Sequence, residues 1–488
     1  MAHIAFLGAG STVFAKNILS DAMLLPSLHD ARIALYDIDA ERLDDSRMML
    51  ENLNRNINQG RARITAHLGV AQRKDALRGA DFVVNAVQIG GYEPATVRDF
   101  EIPKRFGLRQ TIADTLGIGG IFRSRRTIPV VLDFCRDMEE VCPGALFLNY
   151  VNPMAMITAG ALLGSRIRTI GLCHSVQACV PELLMKLGLS GEATDVRWEI
   201  AGINHQAWLL SITSGGRDFY PRIRERAADL LAEARRRGGR ALREELTAKV
   251  ADPPEGKAWK AWRQRQKQAA AEGRFDREAS LGLITGDMVR LDMMLRFGHY
   301  ITESSEHFAE YCPYYIKQTA PQLIDEFNIP LDEYPRRCVD QIHWWKQRRA
   351  SLVENAALTH TMSHEFGARI MDAVLTDTPY RIHASVMNRG LIANLPAKAC
   401  VEVACLVDRN GVQPTVVGDL PEPLAALNRT NINPQILTVD AVLSGRKDLV
   451  YQAAMLDPHT SAELTLDQIT ALCDALFEAH AGWLPPLR

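Results

Sequence analysis

A thiol and two imidazoles stand at positions where they could hold a catalytic metal ion. Cys173 and His174 follow a short β-branched run and precede apolar spacing typical of a helix, which predicts a strand-to-helix corner. His205 follows a second strand-like segment, 196–201. Residues at the carboxyl ends of parallel strands face the ligand crevice, where a thiolate and imidazoles can bind a metal and leave positions open for substrate. The alternative is a buried cysteine and hydrogen-bonded histidines, because no CxxC or HExxH pattern accompanies these residues.

The composition is that of an ordinary globular protein. The chain has 488 residues, of which 47% are hydrophobic and 23% charged, and its net charge is −2. Such a balance provides no global field that would recruit nucleic acid or an anionic membrane. No apolar run approaches the ~20 residues of a spanning helix, and the first residues lack a signal-sequence pattern, so we expect a cytoplasmic protein. Nine scattered cysteines favour reduced thiols over a disulfide framework.

The first forty residues carry a dinucleotide-binding pattern. The apolar run 3–7 leads into Gly8 and Gly10 and then into helical spacing, which predicts a strand, a glycine turn and a helix. The glycines would let the backbone approach a pyrophosphate at the helix N-terminus, although Val13 occupies the third glycine position of the pattern. Asp37 ends the second predicted strand, where its carboxylate would bind the ribose hydroxyls of NAD and repel the 2′-phosphate of NADP.

Strand-like and helical segments alternate over the first two hundred residues. Four further strands are predicted at 64–67, 80–85, 145–149 and 168–172. This alternation is typical of a doubly wound parallel sheet, and polar residues follow several of its strands. We therefore predict an α/β protein with a Rossmann-type NAD-binding domain over residues 1–195. The predicted cofactor contacts are Gly8, Gly10, Ser11, Thr12, Val13, Asp37, Asn85, Gln88 and Asn149.

Two glycine-rich segments, 88–92 and 112–120, interrupt this domain. Such segments close over ligands or simply turn the chain. Asp114, which lies in the second segment, is a candidate for contacting sugar hydroxyls.

Beyond about residue 200 the strict alternation stops, which indicates a second, mixed α+β domain over residues 196–488. Its stretch 217–274 is rich in arginine and contains Trp259 and Trp262. Basic helices with aromatic residues can bind nucleic acid. Because acidic residues interleave these arginines, a solvated or subunit-contacting helix is the favoured interpretation.

Four motifs along the chain carry a resemblance to a known enzyme family. They are GAGSTVF at 8–14, NYVNP at 149–153, CHSVQ at 173–177 and GINH at 202–205. With these motifs, the chain resembles glycoside hydrolase family 4, the NAD- and divalent-metal-dependent glycosidases, nearly from end to end. Further motifs at 90–94, 111–115, 303–311 and 388–396 are similar to those of the family's bacterial α-galactosidases. His174 speaks against a phosphorylated sugar, because phospho-glycosidase members carry Asn or Asp at that position.

The resemblance implies hydrolysis of an α-galactoside without net redox change. NAD would take a hydride from C3 of the sugar, elimination across C1–C2 and addition of water would follow, and NADH would return the hydride. Mn²⁺ or another divalent metal, held by Cys173 and His205, would act as a Lewis acid. The resemblance also implies that Asn152 binds sugar hydroxyls, that Asn149 lies near the nicotinamide, and that the chain forms a dimer or tetramer.

The resemblance implies candidates for the catalytic acid and the catalytic base. Glu303 is the candidate acid for the leaving group, with Asp114 as the second candidate. Some members use a tyrosine as the C2 base, but Leu291 occupies that position here, so Tyr300 or a metal-bound hydroxide is predicted instead. The predicted sugar contacts are Asn152, His174 and Arg290.

Three alternatives stay open. The same chemistry could act on another α-hexoside, such as an α-glucoside, a uronic acid or a sulfonated hexoside, because the arginines of 217–274 leave room for an acidic sugar. The protein could instead be an NAD-dependent sugar dehydrogenase that accumulates NADH. A non-catalytic NAD-binding sensor is the third alternative.

Overall fold

Thirteen strands form one mixed sheet in the computed structural model, which describes residues 1–254 and 257–486. The strands are β1 (His3–Leu7), β2 (Arg32–Asp37), β3 (Arg63–Leu68), β4 (Phe82–Asn85), β5 (Leu146–Asn149), β6 (Arg168–Gly171), β7 (Arg197–Ile203), β8 (Gln206–Ser214), β9 (Arg217–Asp218), β10 (Tyr300–Ile301), β11 (Tyr380–Met387), β12 (Cys400–Asp408) and β13 (Gly411–Pro414). Their order is β10-β8-β7-β12-β11-β6-β5-β4-β1-β2-β3, with β9 paired to β8 and β13 to β12.

Helices cover the sheet. They are α1 (Thr12–Met23), α2 (Ala40–Asn58), α3 (Arg73–Leu77), α4 (Val97–Arg105), α5 (Gly117–Val141), α6 (Met154–Gly164), α7 (Ser175–Lys186), α8 (Tyr220–Arg237), α9 (Gly239–Ala248), α10 (Ala258–Ala271), α11 (Arg277–Ile284), α12 (Met288–Phe297), α13 (Ser305–Ala309), α14 (Leu323–Glu326), α15 (Glu333–Val353), α16 (Gly367–Thr376), α17 (Glu422–Ser444), α18 (Asp448–Leu456), α19 (Pro458–Glu463) and α20 (Leu466–Ala479). Within the described ranges, every helix is too short or too polar to cross a bilayer.

The first six strands are parallel and confirm the predicted α/β class. β1 pairs with β2 and β4, while β2 pairs with β3, and β5 lies between β4 and β6. Most positions of β1, β4 and β5 are buried, because helices cover both faces. Their apolar runs were therefore readable from the sequence, and the carboxyl ends of these strands meet at one edge.

The second half of the chain extends the same sheet with antiparallel strands. β11 joins β6 through one residue pair, Ser385 with Gly171, and β12 joins β7 through Glu402 with Gly202. One cluster of buried side chains spans both halves. The predicted boundary between 195 and 196 lies just before β7 and remains a prediction, since the sheet continues across it.

One expectation about the glycine-rich segment 112–120 is wrong. Its last four residues, 117–120, form the first turn of α5 rather than a loop. A Cβ atom at Gly119 would overlap the carbonyl oxygen of Ala113, and one at Gly120 would lie 2.7 Å from the backbone of Thr115. These glycines therefore let the helix pack directly onto the loop that carries Asp114.

The arginine-rich stretch forms α8, α9 and α10, where ion pairs engage many of its side chains. Arg222 Nε lies 2.8 Å from a carboxylate oxygen of Glu192, and Arg277 pairs with Asp229 and Glu233. Exposed pairs of this kind contribute little stability, about 0–1 kcal/mol each. This pairing agrees with the interpretation of a solvated helical surface.

Candidate active site

Three donor atoms of different chemistry converge at the carboxyl end of β6. Cys173 Sγ lies 3.3 Å from His205 Nε2, which lies 3.5 Å from Glu303 Oε2. All three donor atoms lie within 4.8 Å of one another. A sulfur, a nitrogen and an oxygen at this spacing can bind one divalent cation. The structure thus brings together the two predicted metal ligands and adds Glu303 to them.

Each donor is positioned by the end of a secondary-structure element. Cys173 lies between β6 and α7, and Glu303 follows β10. His205 occupies the two-residue connection between β7 and β8, in the left-handed region with φ 65°. Its Nδ1 lies 3.3 Å from the hydroxyl of Tyr311, which orients the ring so that Nε2 faces the cluster.

Charged neighbours outweigh burial at two members of the cluster. Burial alone would raise the pKa of Glu303, but His205 and His307 outweigh it and lower the pKa to about 2. Burial lowers the pKa of His205, whereas the Cys173 thiol and Glu303 outweigh burial and raise the pKa to about 10. Glu303 is therefore ionised at neutral pH, which suits a ligand of a cation, and its predicted role as the acid for the leaving group remains a prediction.

Asp114 and Asn152 form a polar pair beside the cluster. Asn152 Nδ2 donates to Asp114 Oδ2 at 3.2 Å. Burial alone would raise the pKa of Asp114, but the nearby Arg123, His307 and His205 outweigh burial and lower the pKa. A carboxylate at this place can accept a hydrogen bond from a sugar hydroxyl, and the predicted role of Asp114 as the second candidate acid remains a prediction.

His174 lies at the solvent-facing side of this region. Its Nε2 lies 2.7 Å from Glu365 Oε2, and its side chain is 48% exposed. The hydrogen bond to Glu365 is the main cause of the raised pKa of His174. The rings of Tyr150 and Phe366 lie 6.4 Å and 5.7 Å away. A sugar could reach this imidazole, and the predicted sugar contact remains a prediction.

Tyr300 and Arg290 are placed away from any accessible surface. The Tyr300 hydroxyl donates to Asp287 Oδ2 at 2.5 Å, and the tyrosine is fully buried. Burial raises the pKa of Tyr300 well above its ordinary value, and its predicted role as C2 base remains a prediction. Arg290 is also buried and donates to Asp287 and to the carbonyl oxygens of Ile301 and Thr302. It supports the backbone before Glu303, and its predicted sugar contact remains a prediction.

The glycine turn after β1 has the close contacts that the dinucleotide pattern predicts. A Cβ atom at Gly8 would lie 2.8 Å from the backbone of Ala86, so only glycine fits there. Ser11 and Thr12 open α1, and Val13 follows within its first turn. Asp37 Oδ2 accepts the Gly10 N–H at 2.6 Å, so the predicted ribose contact also fixes the turn.

Two asparagines at the ends of β4 and β5 lie next to each other. Asn85 and Asn149 pair in register, and Asn85 Nδ2 donates to Asn149 Oδ1 at 2.9 Å. Asn85 Oδ1 is buried and has no hydrogen-bond partner among the described residues. An unpaired buried acceptor costs stability, so this atom fits a ligand donor. Gln88 Nε2 lies 3.5 Å from the hydroxyl of Thr96, in the following segment.

Sequence reasoning missed several residues around the cluster. His307 contacts the His205 ring at a centroid distance of 5.0 Å. His307 and Tyr311 belong to the polar motif 303–311, in which only Glu303 received a role. They follow Glu303 by four and eight residues, a spacing that would place the three side chains on one face of a helix, and this pattern could have indicated them. No sequence pattern pointed to Glu365, because it lies 191 residues from its partner His174, in an irregular segment.

Comparisons with known proteins agree on one family. The model of the family 4 glycosyl hydrolases matches residues 3–189, and the model of the family's C-terminal domain matches 200–460. The α-galactosidase of Bacillus subtilis (strain 168) is 50% identical over 488 residues, covering 100% of both chains. An α-galactosidase of Rhizobium meliloti (strain 1021) is 32% identical, covering 99% of this chain and 89% of the relative. A 6-phospho-α-glucosidase from gut microorganisms, solved with NAD and Mn²⁺, shares the fold at 20% identity and a TM-score of 0.72, with 100% of both chains covered.

Proposed function

Because the chain belongs to family 4 of the glycosyl hydrolases, we propose that it hydrolyses α-galactosides with NAD and a divalent metal and leaves NAD unchanged. The proposal rests on the convergence of Cys173, His205 and Glu303 beside the Asp114–Asn152 pair. The α-galactoside is supported by the relative of that activity at 50% identity.

The donor set fits a divalent cation, and Mn²⁺ is the proposed ion because a structure of the same fold holds it. Cys173, His205 and Glu303 would be its protein ligands. When bound, the cation supplies Lewis acidity to the sugar oxygens at C2 and C3. The protein residues supply the rest of the geometry: Tyr311 orients His205, and His307 lies against the His205 ring.

The NAD site would combine the glycine turn with the asparagine pair. Gly8 and Gly10 allow the close backbone approach that a pyrophosphate needs, and Asn85 Oδ1 offers an unpaired acceptor. When bound, NAD supplies a reversible hydride acceptor for C3 of the sugar. Asn149 lies at the carboxyl end of β5, between the carboxyl ends of β4 and β6, and Cys173 follows β6.

The sugar would be oriented by three side chains with distinct roles. Asp114 accepts a hydrogen bond from one hydroxyl, Asn152 donates to another, and His174 contacts the solvent-facing part of the glycone. With C3 oxidised, the C2 proton would be acidic and would pass to water at the site, the bond from C1 to its substituent would break, and the departing oxygen would take up a proton. Water then adds at C1–C2 and the hydride returns to C3, so the net reaction is hydrolysis.

The substrate is tested by comparing hydrolysis of melibiose, maltose and an α-galacturonide by the holoenzyme with NAD and Mn²⁺. We expect galactose release from melibiose to have the highest kcat/KM. A higher kcat/KM for maltose or the galacturonide would contradict the proposed glycone. Oxidised sugar with stoichiometric NADH would indicate a dehydrogenase instead.

A further inference from the structure

A buried carboxylate holds the loop that carries Asp114. Glu310 Oε2 accepts the Thr111 N–H at 2.8 Å, and Oε1 accepts the Ala113 N–H at 2.8 Å. The N–H of Ile112, between them, lies 3.3 Å and 3.2 Å from the two oxygens. Three successive backbone N–H groups around one anion form a nest, a geometry that favours negative charge. The carboxylate of Glu310 therefore anchors this loop through three backbone N–H groups. Burial raises the pKa of Glu310 to about 7, and the three N–H groups oppose that rise.

The loop needs such an anchor because its backbone is strained. Ala113 has φ 52°, a left-handed conformation that is unfavourable for a residue with a Cβ atom. The first turn of α5 packs against Ala113 so closely that a side chain at position 119 would have no room. Asp114 follows immediately, so the conformation of Ala113 sets the direction of the Asp114 side chain toward Asn152.

Glu310 also connects this loop to the metal ligands. It is the eighth residue of the nine-residue motif 303–311, and the last residue of that motif, Tyr311, contacts His205. The hydroxyl of Thr111 donates to the carbonyl oxygen of Glu306 in the same motif, at 2.7 Å. One short segment thus bonds to both the loop and the cluster.

We propose that Glu310 is a positioning residue, which fixes loop 111–113 so that Asp114 meets the sugar at a set distance from the metal ligands. Glu310 touches neither sugar nor metal and acts only through Asp114. The expected effect on catalysis rests on the proposed function. The anchoring of loop 111–113 by Glu310 does not depend on it. A purely structural carboxylate would stabilise the whole fold without a specific link to Asp114.

Hydrogen exchange tests the anchoring without any substrate. In Glu310→Gln, one acceptor oxygen is replaced by an amide group that cannot accept from an N–H. We expect faster exchange in peptides covering 111–116 and unchanged exchange in peptides of β1. Glu463→Gln is the matched control, because Glu463 is a buried carboxylate whose partners are Lys317 and Gln318. If peptides covering 111–116 exchanged as slowly in Glu310→Gln as in the wild-type protein, the proposal would be overturned.

A double-mutant cycle tests the link to Asp114. Displacement of a catalytic group by about 1 Å can cost about 100-fold in rate, so we expect Glu310→Gln to lower kcat/KM by at least about 10-fold. Glu310→Ala, which removes all acceptors, should lower it further. In an Asp114→Asn background, Glu310→Gln should cost less than about 2-fold. Equal fold losses in both backgrounds would overturn the link to Asp114. Wild-type protein without α-galactosidase activity would refute the proposed function, while the exchange measurement would still decide the anchoring.

Discussion

At the scale of single residues, Cys173 is the donor that most distinguishes this site. A thiolate is a soft ligand and an unusual partner for Mn²⁺, which prefers oxygen. His205 and Glu303 supply harder donors at 3.3 Å and 3.5 Å spacings along the cluster. Loss of the sulfur would leave two of the three donors, His205 and Glu303.

Cys173→Ala is expected to abolish metal-dependent turnover. Loss of a residue that merely orients a ligand costs about 10–100-fold in metal affinity, so loss of the ligand itself should cost more than about 100-fold. Titration calorimetry with Mn²⁺ and, separately, with NAD measures both affinities, and NAD affinity should persist. Cys142→Ala, which removes a buried thiol elsewhere, is the control. Normal turnover by metal-free Cys173→Ala would contradict the ligand assignment.

Gly8→Ala is expected to disrupt NAD binding through a collision. Its Cβ atom would lie 2.8 Å from the Ala86 backbone, in a residue that also has φ 86°. Gly60→Ala is the matched control, since Gly60 has φ 71° but open space around the added atom. Both variants carry left-handed strain of about 1–2 kcal/mol, and only Gly8→Ala adds overpacking of about 1–3 kcal/mol. Equal NAD affinity and equal unfolding free energy in the two variants would refute the close-approach explanation.

At the scale of elements, the first turn of α5 and the loop before it behave as one unit. Gly119→Ala should push the loop at Ala113 away from the helix, because the new atom overlaps the Ala113 carbonyl. We expect a loss of unfolding free energy of about 1–3 kcal/mol together with lower kcat/KM. Gly144→Ala, where a Cβ atom meets nothing within 4 Å, should leave both quantities near wild type. Chemical denaturation and initial rates measure them, and an unaffected Gly119→Ala would contradict this packing.

The parallel strands could be predicted because local sequence determines them. β1, β4 and β5 are apolar runs bounded by glycine or polar residues, which is how strands buried on both faces read. The glycines at 117–120 misled for a physical reason. Glycine-rich segments are typical of turns and of loops that close over ligands, whereas Gly119 and Gly120 omit a side chain where a helix contacts a loop.

Residue roles were harder to predict because they depend on contacts across the sheet. Cys173 and His205 were identified from their positions after strands. The ionised state of Glu303 follows from two histidines that the fold brings beside it, and local sequence contains no measure of that. Tyr300 is predicted as a substitute base because Leu291 occupies the family's tyrosine position, and local sequence does not reveal that the fold buries Tyr300 against Asp287.

At the scale of the whole molecule, one buried histidine should contribute to acid sensitivity. His383 in β11 is 4% exposed and lies 5.4 Å from the ring of Trp198. Burial, aided by Arg381, lowers the pKa of His383 from 6.5 to about 4. Between these values the unfolded chain binds a proton that the folded chain does not, so stability falls as pH decreases through this window.

The size of this contribution follows from the pKa difference and is at most about 3 kcal/mol. His383→Phe keeps a ring against Trp198 and cannot titrate. We expect its unfolding free energy, measured by denaturant titration from pH 7 to pH 4, to fall less steeply than that of the wild type. Parallel pH profiles for the two proteins would show that His383 is not responsible.

The most direct test of the account is galactose release from melibiose with NAD, Mn²⁺ and reductant omitted one at a time, while NADH absorbance is followed. We expect sustained release only when all three are present, with many galactose molecules formed per NAD and no net NADH. Sustained release without NAD or without metal would contradict the roles proposed for the glycine turn and for Cys173, His205 and Glu303. Accumulation of NADH in proportion to product would contradict net hydrolysis.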